Sequence, residues 1–240
     1  MPLLHISHMS QGIQNLQSFL DKELLRRPSV RVLEAGCGSA SNLKFGEQVW
    51  LVGIDVSEKQ LARNTVLHEK IAGDIQHYAF PVESFDAIIC WEVLEHLSQP
   101  ELALRQFAQA TKLDGLVILK LPNVLSLKGL LTKFLPHTFH ILIYRYFFGD
   151  KNVGKNDTAP FKTYLRFCIS ASAIQKQGAQ LGLQTAYFAT EDVADSPWLQ
   201  RKKAARFVYV TLKSLFNLVS LGGLGDSELI IVLKKGVIPR

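Results

Sequence analysis

Four carboxylates in this sequence each close a short apolar run, where a buried strand would end. Glu34 lies in "VLEAGCGSA" (32–40), Asp55 closes "VWLVGID", Asp74 follows Gly73, and Glu92 follows "FDAIICW". An ionised carboxylate only accepts hydrogen bonds, so it selects ligand groups that donate. Asp55 suits the two hydroxyls of a ribose, and Asp74 suits an adenine amino group. Gly36 and Gly38, spaced one apart after Glu34, let the polar end of a ligand approach bare backbone. A dinucleotide fingerprint needs a third glycine at position 41, which is Ser41. The loop "GCGSA" holds no Lys or Arg and no Walker A sequence is present, which argues against a triphosphate. The implied ligand has a ribose and an adenine but no phosphate. S-adenosylmethionine fits; NAD fits poorly, because its pyrophosphate wants a glycine-rich turn leading straight into a helix N-terminus.

The second cluster is "WEVLEH" (91–96). In a helical turn Glu92 and His96 stand i,i+4 and Glu92 and Glu95 i,i+3, so the three would share one face. A neutral imidazole at His96 can take a hydroxyl proton, with the acids beside it. A packing role for His96 is the competing reading. So is a divalent metal held by Glu92, Glu95 and His96, although the expectation is no metal.

These residues need a scaffold of alternating strands and helices. Ser10 can cap a helix to about Arg27, with Ile13, Leu16, Leu20 and Leu24 on one stripe, and Pro28 stops it. Strands are expected at Val30–Glu34, Val49–Asp55, a short run ending near Gly73, Phe85–Trp91, 115–122, "LQTAYFA" and 228–235. Ser57 with Gln60 and Ser98 with Glu101 read as capping boxes, and Ser170 caps a further helix. Strand–helix alternation through five strands argues for a doubly wound, mostly parallel sheet whose ligands sit beyond the strands' carboxyl ends. Only "SNLKFGEQ" separates the first loop from strand two, so the helix expected there must be very short or lost.

The 240 residues, 48% hydrophobic, suit one domain spanning 1–240. Three cysteines cannot make a disulfide framework, so a reducing, cytoplasmic setting is expected. The N-terminus lacks the basic-then-apolar layout of a secretory leader. The formal charge of +6 is unevenly placed: 124–167 carries +5 and 197–240 carries +6, which leaves the remainder acidic. Two stretches escape the alternation, 123–169 and 191–226, and each overlaps one of these basic segments.

The stretches "VLEAGCGSA", "LVGIDVSEKQLARN", "AGDIQ", "FDAIICWEVLEHL" and "DGLVILKLPN" occur in this order. Through them the chain resembles the class I S-adenosylmethionine-dependent methyltransferases that act on small molecules, the ubiquinone/menaquinone-methyltransferase-like group. The resemblance implies a Rossmann-like, seven-stranded α/β sheet of order 3-2-1-4-5-7-6, with strand 7 antiparallel and helices on both faces. It also implies that Glu34, Gly36 and Gly38 line the cofactor's methionine end. Asp55 and Val56 then lie at the ribose, Asp74 and Ile75 at the adenine, and Trp91 near the cofactor's centre. S-adenosylhomocysteine is the implied product. Against nucleic-acid bases as acceptors, no proline precedes Cys90, and no Asn/Asp-Pro-Pro-aromatic signature follows strand four.

The two basic stretches are read as additions to this frame. Residues 123–169 would form a lid over the acceptor, with Tyr164 and Arg166 facing it. In 191–226, Arg206, Lys213, Asn217 and Ser220 can line one stripe of a helix, opposite Val208, Leu212, Leu215, Phe216 and Val219. That is the composition of an interfacial helix. The expectation is a methyltransferase acting at a hydroxyl of a small, amphiphilic or lipid-like acceptor, either monomeric or a homodimer. An anionic membrane surface is a further expected partner, and nucleic acid is not. The alternatives are an NAD(P)-dependent oxidoreductase, an RNA methyltransferase, and a non-catalytic S-adenosylmethionine-binding protein.

Overall fold

The computed structural model describes residues 11–24, 26–134, 163–219 and 225–236. In chain order the elements are α1 (Gln11–Leu24), β1 (Val30–Ala35), β2 (Val49–Asp55), α2 (Glu58–Arg63), β3 (Glu69–Ala72), β4 (Phe85–Trp91), α3 (Pro100–Ala110) and β5 (Thr111–Pro122). There follow α4 (Leu127–Phe134), α5 (Ala171–Gln180), β6 (Leu183–Glu191), α6 (Pro197–Arg201), α7 (Lys203–Val219) and β7 (Glu228–Lys235). The seven strands form one sheet of order β3-β2-β1-β4-β5-β7-β6. The β1, β2, β3, β4 and β5 ladders are parallel, and β7 runs antiparallel to both its neighbours. This is the order that the resemblance implies.

Alternation along the strands divides the core in two. Leu33, Ile88, Cys90, Val117, Leu119 and Ile231 pack on one face against Ala103, Leu104 and Phe107 of α3 and Ile174 of α5. Val32, Ala87, Ile89, Leu116, Ile118 and Val232 pack on the other against Leu16, Leu20 and Leu24 of α1. Because side chains alternate with period two, a one-residue slip of any central strand would exchange the two cores. Each of the three α1 leucines contributes roughly 1.5–3 kcal/mol by leaving water.

No helix follows β1: residues 36–48 are turns and bends. α1 steadies this loop from outside, since Gln17 Nε2 donates to Lys44 O at 3.0 Å and Lys44 N donates to Gln17 Oε1 at 3.3 Å.

Helix starts depart from expectation in places. Ser57 caps α2, taking the Gln60 N–H at 3.3 Å. α3 instead begins at Pro100, with no side-chain cap. Ser98 donates to Gln76 rather than closing a box with Glu101, because Pro100 lacks an N–H and already fixes the first turn. Ser170 stands at the N-cap of α5, but its side chain makes no capping bond. Ser10 lies outside the described residues, as does most of the expected lid.

Candidate functional site

The strand order reverses between β1 and β4, and the predicted residues gather at the carboxyl ends there. Gly36 (φ 74°) and Gly38 (φ 53°) turn the chain sharply after β1. The Gly36 and Cys37 amides donate to Ile54 O at 2.8 and 3.1 Å, so the turn is tied to β2. A Cβ on Gly36 would stand 2.4 Å from Val93 Cγ2, whereas one on Gly38 would meet nothing within 4 Å. The Gly38 side of the loop therefore faces open space.

Asp55 closes this arrangement. Its Oδ2 accepts from Gly38 N at 2.9 Å and its Oδ1 from Ser57 N at 2.8 Å, which leaves each oxygen a lone pair. Val56 beside it is exposed. Glu34 is buried and accepts from the Ser41 hydroxyl, so Ser41 braces the loop where a third glycine was absent. Burial pushes the Glu34 carboxyl up to about 7, against the opposing pull of Ser41 and the Asn42 amide.

Asp74 is aimed by Gln76, whose backbone N–H and Nε2 donate to it at 2.9 and 3.1 Å. Gln76 Oε1 in turn accepts from Ser98 Oγ and Gln99 N, linking the ends of β3 and β4. The Ile75 side chain is in the core, so an adenine would meet Asp74 and backbone there, not the Ile75 side chain.

The acid cluster after β4 differs from the expected single helical face. Glu92 has φ 54°, and only Leu94–His96 forms a 3-10 turn. The left-handed Glu92 breaks the i,i+4 relation with His96. Among the described residues no three His, Cys, Asp or Glu side chains converge to hold a metal, so Glu92, Glu95 and His96 do not form that set. Glu92 pairs instead with Lys120 on β5, at 2.5 Å. Burial would raise Glu92, but the Lys120 charge and hydrogen bond outweigh it and hold Glu92 below the ordinary carboxylate range.

Glu95 is buried, and its Oε2 has no hydrogen-bond partner among the described residues. Burial pushes its carboxyl up to about 8, which keeps it protonated near neutrality. The carbonyl of Glu95 accepts from Tyr164 N and Leu165 N at 2.8 and 3.1 Å, docking the strap 163–166 beside the site. His96 Nδ1 lies 3.5 Å from Thr163 Oγ1 of that strap. Tyr164 is exposed there, and Arg166 lines a surface depression with Ser98, Gln99, Glu101, Leu102 and Arg105.

The residue that sequence reasoning missed is Lys120. It is 7% exposed, lies 5.4 Å from the Trp91 ring centroid, and reaches Glu228 Oε2 at 3.6 Å. Burial alone would lower its pKa, but Glu92 and Glu228 outweigh that and raise it, so it stays charged. Lys128 of α4 pairs with the same Glu228. The signal was present: one lysine inside the apolar strand "GLVILKLP".

The sequence model of the methyltransferase-domain family matches residues 7–185. The ubiquinone biosynthesis O-methyltransferase of Neisseria meningitidis is 31% identical over 106 residues, 39% of this chain and 44% of that protein. The match thus spans less than half the length of that curated relative. The YcgJ protein of Bacillus subtilis superposes with a TM-score of 0.56 at 19% identity, covering 93% of this chain and 99% of that one. Phosphoethanolamine N-methyltransferase 2 of Haemonchus contortus, solved in complex with S-adenosyl-L-methionine, superposes with a TM-score of 0.54 at 16% identity, covering 97% of this chain and 54% of that one. At these identities the superpositions establish the fold. The chain belongs to the methyltransferase-domain family, and the cofactor implied by its sequence is S-adenosylmethionine.

The residues present fit that cofactor. The open side of Gly38, the carboxylate of Asp55 beneath it and the aimed carboxylate of Asp74 are spread along adjacent strand ends. A pyrophosphate fits less well, because residues 36–48 offer no helix N-terminus to receive it.

Proposed function

We propose that the protein transfers a methyl group from S-adenosylmethionine to a hydroxyl of a small, amphiphilic acceptor. The observation that carries this is the set of acidic strand ends around a loop with two left-handed glycines and no following helix. The O-methyltransferase relative supports the hydroxyl as acceptor atom. When bound, S-adenosylmethionine supplies a methyl already activated on a sulfonium. The chain's work is then alignment, which in well-oriented reactions is worth roughly 7–11 kcal/mol.

Roles follow from position. Glu34 and the open face of the loop at Gly38 receive the amino-acid end, Asp55 the ribose hydroxyls, and Asp74 the adenine amino group. His96 faces the strap that carries Thr163 and Tyr164, where it can take the acceptor's hydroxyl proton. Glu92, held ionised by Lys120, can favour the imidazolium that results. Glu95, kept protonated by burial, withholds a second negative charge from the same place. Three free thiols, two of them buried, support a reducing cytoplasmic setting.

Isothermal titration tests the first claim. S-adenosylmethionine should bind and NAD(H) should not, and Asp55→Ala should weaken S-adenosylmethionine by tenfold or more. Unchanged affinity removes the ribose assignment. His96→Ala should lower turnover with labelled cofactor far more than it lowers cofactor affinity; the reverse pattern makes His96 structural.

A further inference from the structure

The helix α7 is attached to the body by its polar stripe, not its apolar one. Arg206 Nε donates to Ala194 O at 3.0 Å, Tyr209 OH meets Ser227 Oγ at 2.9 Å, and Lys213 pairs with Asp192 and, at 3.1 Å, with Asp226. The polar stripe expected of an interfacial helix is thus the one that faces the body. Asp192 at the end of β6 and Asp226 ahead of β7 draw Lys213 inward, while Arg206 reaches the Ala194 carbonyl and, at 3.8 Å, Asp195. Ser220 lies outside the described residues.

What faces outward is apolar. Phe207 is 72% exposed and Leu218 is 89% exposed, with Val208, Leu212, Leu215 and Phe216 also open to solvent. Phe207, Val208, Leu215 and Leu218 recur at helical spacing on the side opposite Arg206, Tyr209 and Lys213. Exposing so contiguous an apolar face costs solubility and marks an interaction surface. No charged side chain interrupts α7 between Lys213 and its end, and no Asp or Glu occurs anywhere from Pro197 to Gly225. At the start of the helix Arg201, Lys202 and Lys203 stand in a row and are exposed.

Position adds a third observation. β6 ends at Glu191 opposite Glu228, where β7 begins and β5 ends at Pro122. α7 therefore springs from the carboxyl edge of the sheet, the edge that carries the site. α4 springs from that edge too, with Leu131 and Phe134 exposed. No described helix is long and apolar enough to cross a membrane.

We propose that α7 lies flat on an anionic lipid bilayer, with Phe207, Val208, Leu215 and Leu218 in the acyl boundary and Arg201, Lys202 and Lys203 at the headgroups. Apolar area and like-signed cations at one end are what such a surface recognises. A second copy of the chain fits less well, because it would add the same cations without any carboxylate to meet them. The docking does not depend on which atom is methylated.

Flotation with vesicles of phosphatidylcholine and phosphatidylglycerol tests this. The full chain should float with anionic vesicles at low salt and much less with neutral ones. Phe207→Asp and Leu218→Asp should each weaken partitioning by roughly tenfold or more. Both side chains are exposed, so cofactor titration and circular dichroism should be unchanged, which separates loss of docking from loss of the methyltransferase site. Lys202→Glu with Lys203→Glu should abolish the preference for anionic lipid. A wild-type chain that ignores anionic vesicles overturns the proposal, as does equal binding to neutral ones. A dimer by light scattering that Leu218→Asp dissolves, without vesicle binding, assigns the face to self-association instead.

Discussion

Gly36 and Gly38 share a left-handed backbone but not a neighbourhood, and substitution should separate their roles. Alanine at Gly36 puts a Cβ against Val93 and strains the turn, so Gly36→Ala should lose the fold of the loop. Alanine at Gly38 has room, and left-handed strain costs only about 1–2 kcal/mol. Gly38→Ala should therefore melt only a few degrees below wild type yet bind S-adenosylmethionine at least tenfold more weakly, measured by thermal shift with and without cofactor. The glycine pair was legible in the sequence because its spacing is a backbone requirement. The geometry at Glu92 was not, since nothing in "WEVLEH" announces a left-handed residue. It is held there by the Lys120 carbonyl, which takes its N–H at 2.7 Å, and by the Lys120 side chain. The residue depends on a partner 28 positions away.

Among the elements, β5 bears the most concentrated electrostatic load. Lys120 joins Glu92 after β4 to Glu228 at the start of β7, and Lys128 ties α4 to the same Glu228. Breaking a buried pair from one side strands the other charge, which costs roughly 3–5 kcal/mol. Lys120→Met should fall below that range, at about 1–2 kcal/mol, because Lys128 still faces Glu228 and the Glu92 carboxylate left behind is half exposed to water. Urea unfolding should show a lower midpoint at unchanged slope. Strand positions and faces could be read from alternation and apolar runs, because burial on both faces leaves few other sequences. The attachment of α7 could not. A helical wheel shows that the basic and apolar stripes are opposed; only the positions of Asp192 and Asp226 decide which one turns inward.

For the whole molecule, the two raised carboxyls set a pH dependence. Glu34 and Glu95 ordinarily titrate near 4.5, and in the fold near about 7 and about 8. The folded chain thus binds their protons more tightly than the unfolded chain. Their stabilising contribution is complete below about pH 4.5 and is withdrawn as pH rises through about 7 and 8. The ligand-free protein should lose melting temperature from pH 5 to about 8.5 on this account, and Glu34→Gln and Glu95→Gln should each flatten the decline. The ammonium of S-adenosylmethionine favours ionised Glu34, so cofactor affinity should climb as pH rises toward about 7 and level off above it in wild type, but not in Glu34→Gln. The stretch between β1 and β2 bears on timing. With turns where a helix was expected, and α1 as outside support through Gln17, the described residues place no helix at this side of the cofactor's doorway to melt or swing. Donor and spent product should then trade places without a gating step. Observed association rates in stopped flow should climb in proportion to cofactor concentration, with no plateau, leaving acceptor encounter to pace the cycle.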